Sequence, residues 1–87
     1  MPRYIAHVNV MLRPLVNDPQ GLVVAGGLQS LGFTGVESVR AGKRIDITLE
    51  AASEADATAA VREMCQRLLA NPVIEDFEFE VAALATA

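Results

Sequence analysis

The run Leu68-Leu69-Ala70-Asn71-Pro72-Val73-Ile74-Glu75-Asp76-Phe77-Glu78-Phe79-Glu80-Val81 restricts the folds open to this chain more than any other. Proline drives the residue before it out of the α region, so an apolar helical run upstream must stop at Asn71. Beyond it, Phe77, Phe79 and Val81 alternate with Glu78 and Glu80, the period of a half-buried strand. A helix therefore hands over to a strand within a few residues. The fold must combine helices with a sheet.

The remaining elements are read the same way. Arg3 to Leu12 is a strand, with Ala6, Val8, Val10 and Leu12 on an apolar face and Ile5, His7, Asn9 and Met11 on a mixed one. Asp18-Pro19-Gln20-Gly21 opens a helix, since an aspartate can cap orphan amides while proline takes the first helical position. Leu22, Ala25, Leu28 and Leu31 follow at helical spacing, and Gly32 ends the helix. The internal Gly26-Gly27 pair weakens that helix, so close packing is expected there.

Residues 36–50 read as extended, with a bend or hairpin turn at Ala41-Gly42-Lys43. Ile45, Ile47 and Leu49 then point inward, and Arg44, Asp46, Thr48 and Glu50 outward. Ser53 with Asp56 forms a capping-box-like start for a second helix, whose stripe is Ala57, Ala60 or Val61, Met64 and Leu68.

This order predicts an α+β domain: an antiparallel sheet with two helices on one face. A true turn at Gly42 gives the ferredoxin-like βαββαβ pattern; otherwise one long bent strand replaces two. Residues 1–81 are expected to form the single domain and 82–87 a flexible tail.

Composition closes several routes. A chain of 87 residues buries only about 60–65% of its unfolded surface, so self-association would help it. A hydrophobic share of 52% without tryptophan points to a Val, Leu, Ile and Ala core with apolar surface left for partners. The net charge of −4 argues against nucleic acid, and the inward Ile45 and Ile47 leave no aromatic platform for RNA bases. One cysteine excludes an internal disulfide and fits a reducing compartment. With no signal-peptide pattern and no stretch of ~18 apolar residues, the cytoplasm is the expected location.

Candidate chemistry is sparse. His7 would need an orienting carboxylate such as Glu78 or Glu80 to act as a base. Cys65 lies in an apolar helix and reads as packing. Gly42-Lys43 lacks the earlier glycine and the following Ser or Thr of a phosphate loop. No catalytic, cofactor-binding or metal-ligating set is expected.

Three blocks together resemble the PurS family, the small subunit of phosphoribosylformylglycinamidine synthase. They are Asp18-Pro19-Gln20-Gly21, Val39-Arg40-Ala41-Gly42-Lys43-Arg44, and Met64-Cys65 through Asn71-Pro72 to Phe77. The resemblance runs from about Tyr4 to Val81. It implies a non-catalytic adaptor joining an ATP-dependent synthetase subunit to a glutaminase subunit in purine biosynthesis. It also implies that ATP and Mg are used by the complex rather than bound by this chain, and that copies associate as a homodimer or dimer of dimers. Within that reading, Ile5, His7, Asn9 and Met11 are the expected self-association face, and Arg40, Lys43 and Arg44 the expected partner contacts. The competing reading is an amino-acid-sensing ferredoxin-like homodimer, similar to ACT domains, with its site at the Asp18–Gly21 turn.

Overall fold

The computed structural model describes residues 1–84. Three strands form one antiparallel sheet: β1 (Arg3–Leu12), β2 (Gly42–Glu50) and β3 (Glu75–Ala83), in the order β2-β1-β3. β1 is central, with Val8 opposite Ile45 on one side and Phe79 on the other. Two helices, α1 (Pro19–Ser30) and α2 (Glu54–Met64), complete the chain. This is the expected α+β class.

The core lies between α2 and one sheet face. Ala6, Val8 and Val10 meet Val61, Cys65 and Ala70, all buried, with Phe77, Phe79 and Val81 packed at their edge. The alternation in β1 and β3 dictates this, because side chains two apart share a face. Ser53 starts α2 by accepting the Asp56 amide N–H on its hydroxyl at 3.1 Å. At its end α2 widens into a π-type turn, Cys65–Leu69, closed by the Ala70 amide donating to the Cys65 carbonyl at 3.0 Å. Ala70 is then extended, and Asn71-Pro72 carries the chain into β3.

The middle of the chain corrects the four-strand expectation. Only Gly42–Glu50 joins the sheet; residues 36–41 have no regular structure, so the order is βαβαβ. The physical reason is a competing partner. The Ala41 amide donates to the Asp18 carboxylate at 2.7 Å, and Arg40 donates to the Arg13 and Val16 carbonyls at 3.0 and 2.9 Å. These bonds hold the segment against the base of α1 instead of along a sheet edge. Gly42 itself pairs with Met11 as the first residue of β2, so it is not a turn. Alanine there would collide with the Met11 sulfur and the Val10 carbonyl oxygen, which accounts for the glycine.

The domain boundary also moves. β3 continues to Ala83, so residues 82 and 83 extend the sheet, and just beyond it the Leu84 amide donates to the Arg3 carbonyl at 2.9 Å. The rest of the expected tail, 85–87, lies outside the described residues.

The helices differ sharply. α2 covers β1 and β3, whereas α1 buries only Gly21 and has no extensive packing on any strand. Its C-terminus is a Schellman motif in which Gly32, at φ 99°, lets the Phe33 amide reach the Leu28 carbonyl. The chain is consequently long and thin, 51 × 33 × 14 Å, with a radius of gyration of 16.9 Å. A compact chain of this length would have about 12 Å.

Candidate interaction surfaces

The face of the sheet opposite α2 is open. Its centre is His7, whose Nδ1 lies 2.7 Å from Asp46 Oδ1 on β2 and 3.0 Å from Arg44 Nη2. Arg44 Nε also donates to Asp46 at 3.1 Å. The carboxylate that orients His7 is therefore Asp46, not the expected Glu78 or Glu80. Glu80 is the cross-strand neighbour of His7 on β3, and Glu78 that of Asn9. The His7 ring and the Arg44 guanidinium hold the Asp46 carboxyl below the ordinary carboxylate range. His7, Asn9, Arg44, Glu78, Phe79 and Glu80 line an open depression of about 270 Å³. That is small for a ligand pocket, and charged or polar residues make up most of its lining. Ile5 is half-buried at one end of this face, and Met11 is exposed at the other.

The three basic residues near the expected bend do not form one patch. Arg40 turns back toward Asp18, its Nε 3.9 Å from Oδ2. Lys43 reaches Glu75 at 3.9 Å. Arg44 alone joins the open face, because successive strand residues alternate sides.

Asp18 is the residue that sequence reasoning undervalued. It caps α1 by accepting the Gly21 amide at 2.9 Å, and its second oxygen takes the Ala41 amide. Those two amide bonds, with Arg40 adding to them, hold its carboxyl below the ordinary range despite 4% exposure. Only the spacing of Asp18 before proline was visible in the sequence; its partner lies 23 residues downstream. Because the carboxylate and the Gly21 amide are already paired, the Asp18–Gly21 turn lacks open groups for an amino-acid ligand.

Cys65 is buried, and burial raises its thiol pKa, the opposite of an activated nucleophile. Gly42-Lys43 sits in a strand and not in a phosphate-cradling loop. Among the described residues, no group of three or more His, Cys, Asp or Glu side chains converges as a metal site, and no helix is long and apolar enough to cross a membrane.

Apolar surface is concentrated on α1 and just beyond it. Leu22, Val23, Leu31 and Phe33 are 57–76% exposed, and Val24 is exposed as well. Further exposed apolar residues are Leu15 and Val73, in the connections between elements, and Leu68, in the π-type turn that ends α2.

Comparison with known proteins places these surfaces in context. The family model PurS, described as phosphoribosylformylglycinamidine (FGAM) synthase, matches residues 5–83. A phosphoribosylformylglycinamidine synthase subunit PurS from Synechocystis is 51% identical over 84 residues, 97% of this chain and 84% of that protein. The crystal structure of PurS from Methanocaldococcus jannaschii, titled one of the subunits of formylglycinamide ribonucleotide amidotransferase in the purine biosynthetic pathway, superposes with a TM-score of 0.83. It is 39% identical and covers 94% of this chain and 99% of its own. A chain in the structure of PurLQS from Thermotoga maritima gives a TM-score of 0.82 at 34% identity, covering 97% and 100%.

Proposed function

The chain belongs to the PurS family of FGAM synthase subunits, and on that basis we propose how its surfaces serve the enzyme. It is a subunit of a glutamine-dependent ligase in purine biosynthesis and carries no catalytic residues of its own. Its part is that of an adaptor between the ATP-dependent synthetase subunit and the glutaminase subunit. ATP and Mg belong to the synthetase chemistry, and the assembly works in the cytoplasm.

The observation that carries this reading is the likeness, over nearly the whole chain, to a subunit found within a PurLQS assembly. The physics of the reaction supports it. Ammonia released at a glutaminase must reach an activated amide before it escapes or is protonated. That requires two active sites held in register. A thin sheet domain with an open face and a projecting helix can hold such a joint while contributing no chemistry.

The open face bearing Ile5, His7, Asn9 and Met11 is the contact through which copies associate. Arg44 is the basic residue through which acidic surface of the larger subunits meets the chain, while Arg40 and Lys43 are engaged by Asp18 and Glu75. The amino-acid sensor reading is not favoured, since the groups it would use at Asp18 and Gly21 are paired within the chain.

Reconstitution tests the adaptor role. Glutamine-dependent FGAM formation by the synthetase and glutaminase should require this chain, while ammonia-dependent formation by the synthetase should depend on it less. Equal glutamine-dependent rates with and without the chain would refute the bridging role.

A further inference from the structure

We propose that the free edge of β3 takes up an extended segment of one of the two larger subunits, in which apolar residues alternate with lysine or arginine. This rests on the adaptor reading and gives it a point of attachment, a strand added to the sheet.

Strand pairing fixes which groups the edge offers. β3 lies at one side of the sheet, with β1 as its only neighbouring strand. At both ends of that pairing, bonds join odd residues of the β1 side to even residues of the β3 side. The Arg13 amide donates to the Ile74 carbonyl, and the Leu84 amide to the Arg3 carbonyl. Antiparallel ladders alternate, so even residues of β3 turn their amides and carbonyls toward β1 and odd residues turn theirs outward. Glu75 donates its amide to the Asn71 carbonyl. The outward groups of Phe77, Phe79 and Val81 have no backbone partner among the described residues.

Neither proline, glycine nor a bulge interrupts this edge: Glu75–Ala83 pairs one-to-one with β1. A long, flat edge of this kind pairs with another strand unless charge prevents it. Here the charge is selective. Glu78 and Glu80 are exposed on the open face, opposite Asn9 and His7, and neither joins an ion pair of the described residues. A second β3 laid antiparallel and centred on the first would set these carboxylates against one another, which is destabilising. A strand with lysine or arginine at those positions meets them with opposite charge. The edge of β2 carries no such single sign, since Arg44 and Asp46 bond to each other.

The inner face sets the other half of the pattern. Glu54, Thr58 and Arg62 form one row of α2 and face Phe77, Phe79 and Val81 across a depression of about 310 Å³, with Glu78 completing its lining. The Arg62 guanidinium is already placed over the Phe79 ring, 5.2 Å from its centroid. An added strand points alternate side chains into this depression, where the three apolar residues of β3 favour valine, isoleucine or leucine. Its remaining side chains stand beside Glu78 and Glu80. Backbone bonds then supply affinity and the alternating side chains specificity. Those bonds lie in the plane of the sheet, so the open face stays available for other contacts.

The probe is an acetylated and amidated nine-residue peptide of alternating valine and lysine, the length of β3, titrated into the full chain. It should bind at least about tenfold more tightly than the same peptide with glutamate in place of lysine, and Glu78→Lys with Glu80→Lys should reverse that preference. Both positions are exposed, so the variant should keep its circular dichroism. The valine–lysine peptide with methylated backbone amides has the same charge but cannot donate to β3, and should bind at least about tenfold more weakly. On binding, hydrogen exchange should slow at the Phe77, Phe79 and Val81 amides and change little at Glu78 and Glu80, which are already bonded to β1. In the assembly, the double variant should lose at least about tenfold in affinity for one of the two larger subunits. Equal binding of the two peptides, indifference to methylation, or protection without the odd–even alternation would overturn the site. Unchanged affinity for both larger subunits would overturn its place in the assembly. The peptide results do not depend on the bridging role, which reconstitution without the chain tests, so either can fail alone.

Discussion

Gly21→Ala puts the junction between α1 and residues 36–41 under direct strain. Helix propensity alone favours the change by up to about 1 kcal/mol. The structure says the reverse. A Cβ at Gly21 would overlap the Val39 carbonyl oxygen and stand 2.9 Å and 3.0 Å from Oδ2 and Cγ of Asp18. Two of these obstacles cannot yield cheaply. The Val39 oxygen is backbone, and Asp18 is held by the Gly21 and Ala41 amides. Overpacking of this kind costs about 1–3 kcal/mol, and retreat of the helix base would further weaken the Asp18 bonds. The net expectation is a loss of about 1–2 kcal/mol, or roughly 4–15 °C in melting temperature for a domain of this size. Urea and thermal unfolding at matched protein concentration would measure it, since association itself shifts apparent stability. Gly35→Ala is the control. Gly35 has open space around its Cβ direction and no left-handed φ, so alanine should be neutral or stabilising by up to about 1 kcal/mol. If Gly21→Ala matches Gly35→Ala, the close approach at Asp18 is not what fixes the base of α1.

Three further outcomes follow from particular side chains. Asp18 and Asp46 both titrate below the ordinary carboxylate value, so their ionised forms stabilise the fold fully above about pH 4. That stabilisation is lost as pH falls through the depressed pKa values, so Asp18→Asn should lower the urea midpoint near neutrality and flatten its decline in acid; an unchanged acid limb would contradict this. Cys65 should react with a thiol reagent only on unfolding or wide opening, so its labelling rate should rise steeply with urea; rapid labelling of the native chain would show the α2 contact to be open. Arg44→Glu removes the guanidinium that bonds both His7 and Asp46, and should lower glutamine-dependent synthesis by the reconstituted enzyme about two- to fivefold, the worth of an exposed pair. Lys43→Glu, on the other side of the strand, should lower it less, and equal effects would show that the open face is not the surface that matters.

Much of this architecture was legible in the residues, and the failures share one cause. β1 and β3 alternate cleanly enough to give their inner faces, though not the C-terminal end of β3, and Asp18-Pro19, Gly32, Ser53 and Asn71-Pro72 punctuate both helices. These signals are local. Residues 36–41 looked extended, but whether an extended segment joins a sheet depends on who takes its amides. Here a carboxylate 23 residues upstream takes one of them. The basic group at Arg40, Lys43 and Arg44 was contiguous in sequence and is dispersed in space by the same rule: one residue is claimed by Asp18 and the other two alternate across a strand.

The direction of α1 follows from that one nonlocal interaction too. Periodicity identified an apolar helix and Gly26-Gly27 asked for something packed closely upon it, yet among the described residues nothing beyond the adjoining turns of the helix comes within 4 Å of a Cβ at either glycine. A folded monomer that leaves its most apolar helix bare and retains two destabilising glycines in it is inconsistent as a finished structure. The inconsistency disappears when the unit of folding is more than one chain. Consistency between local preference and packing must then be sought in the assembly, where an adaptor's apolar surplus becomes interface. On this account the high hydrophobic content and the small core are one property: a sheet domain of this length keeps back apolar surface because its stability and its register with other subunits are supplied by the same contacts.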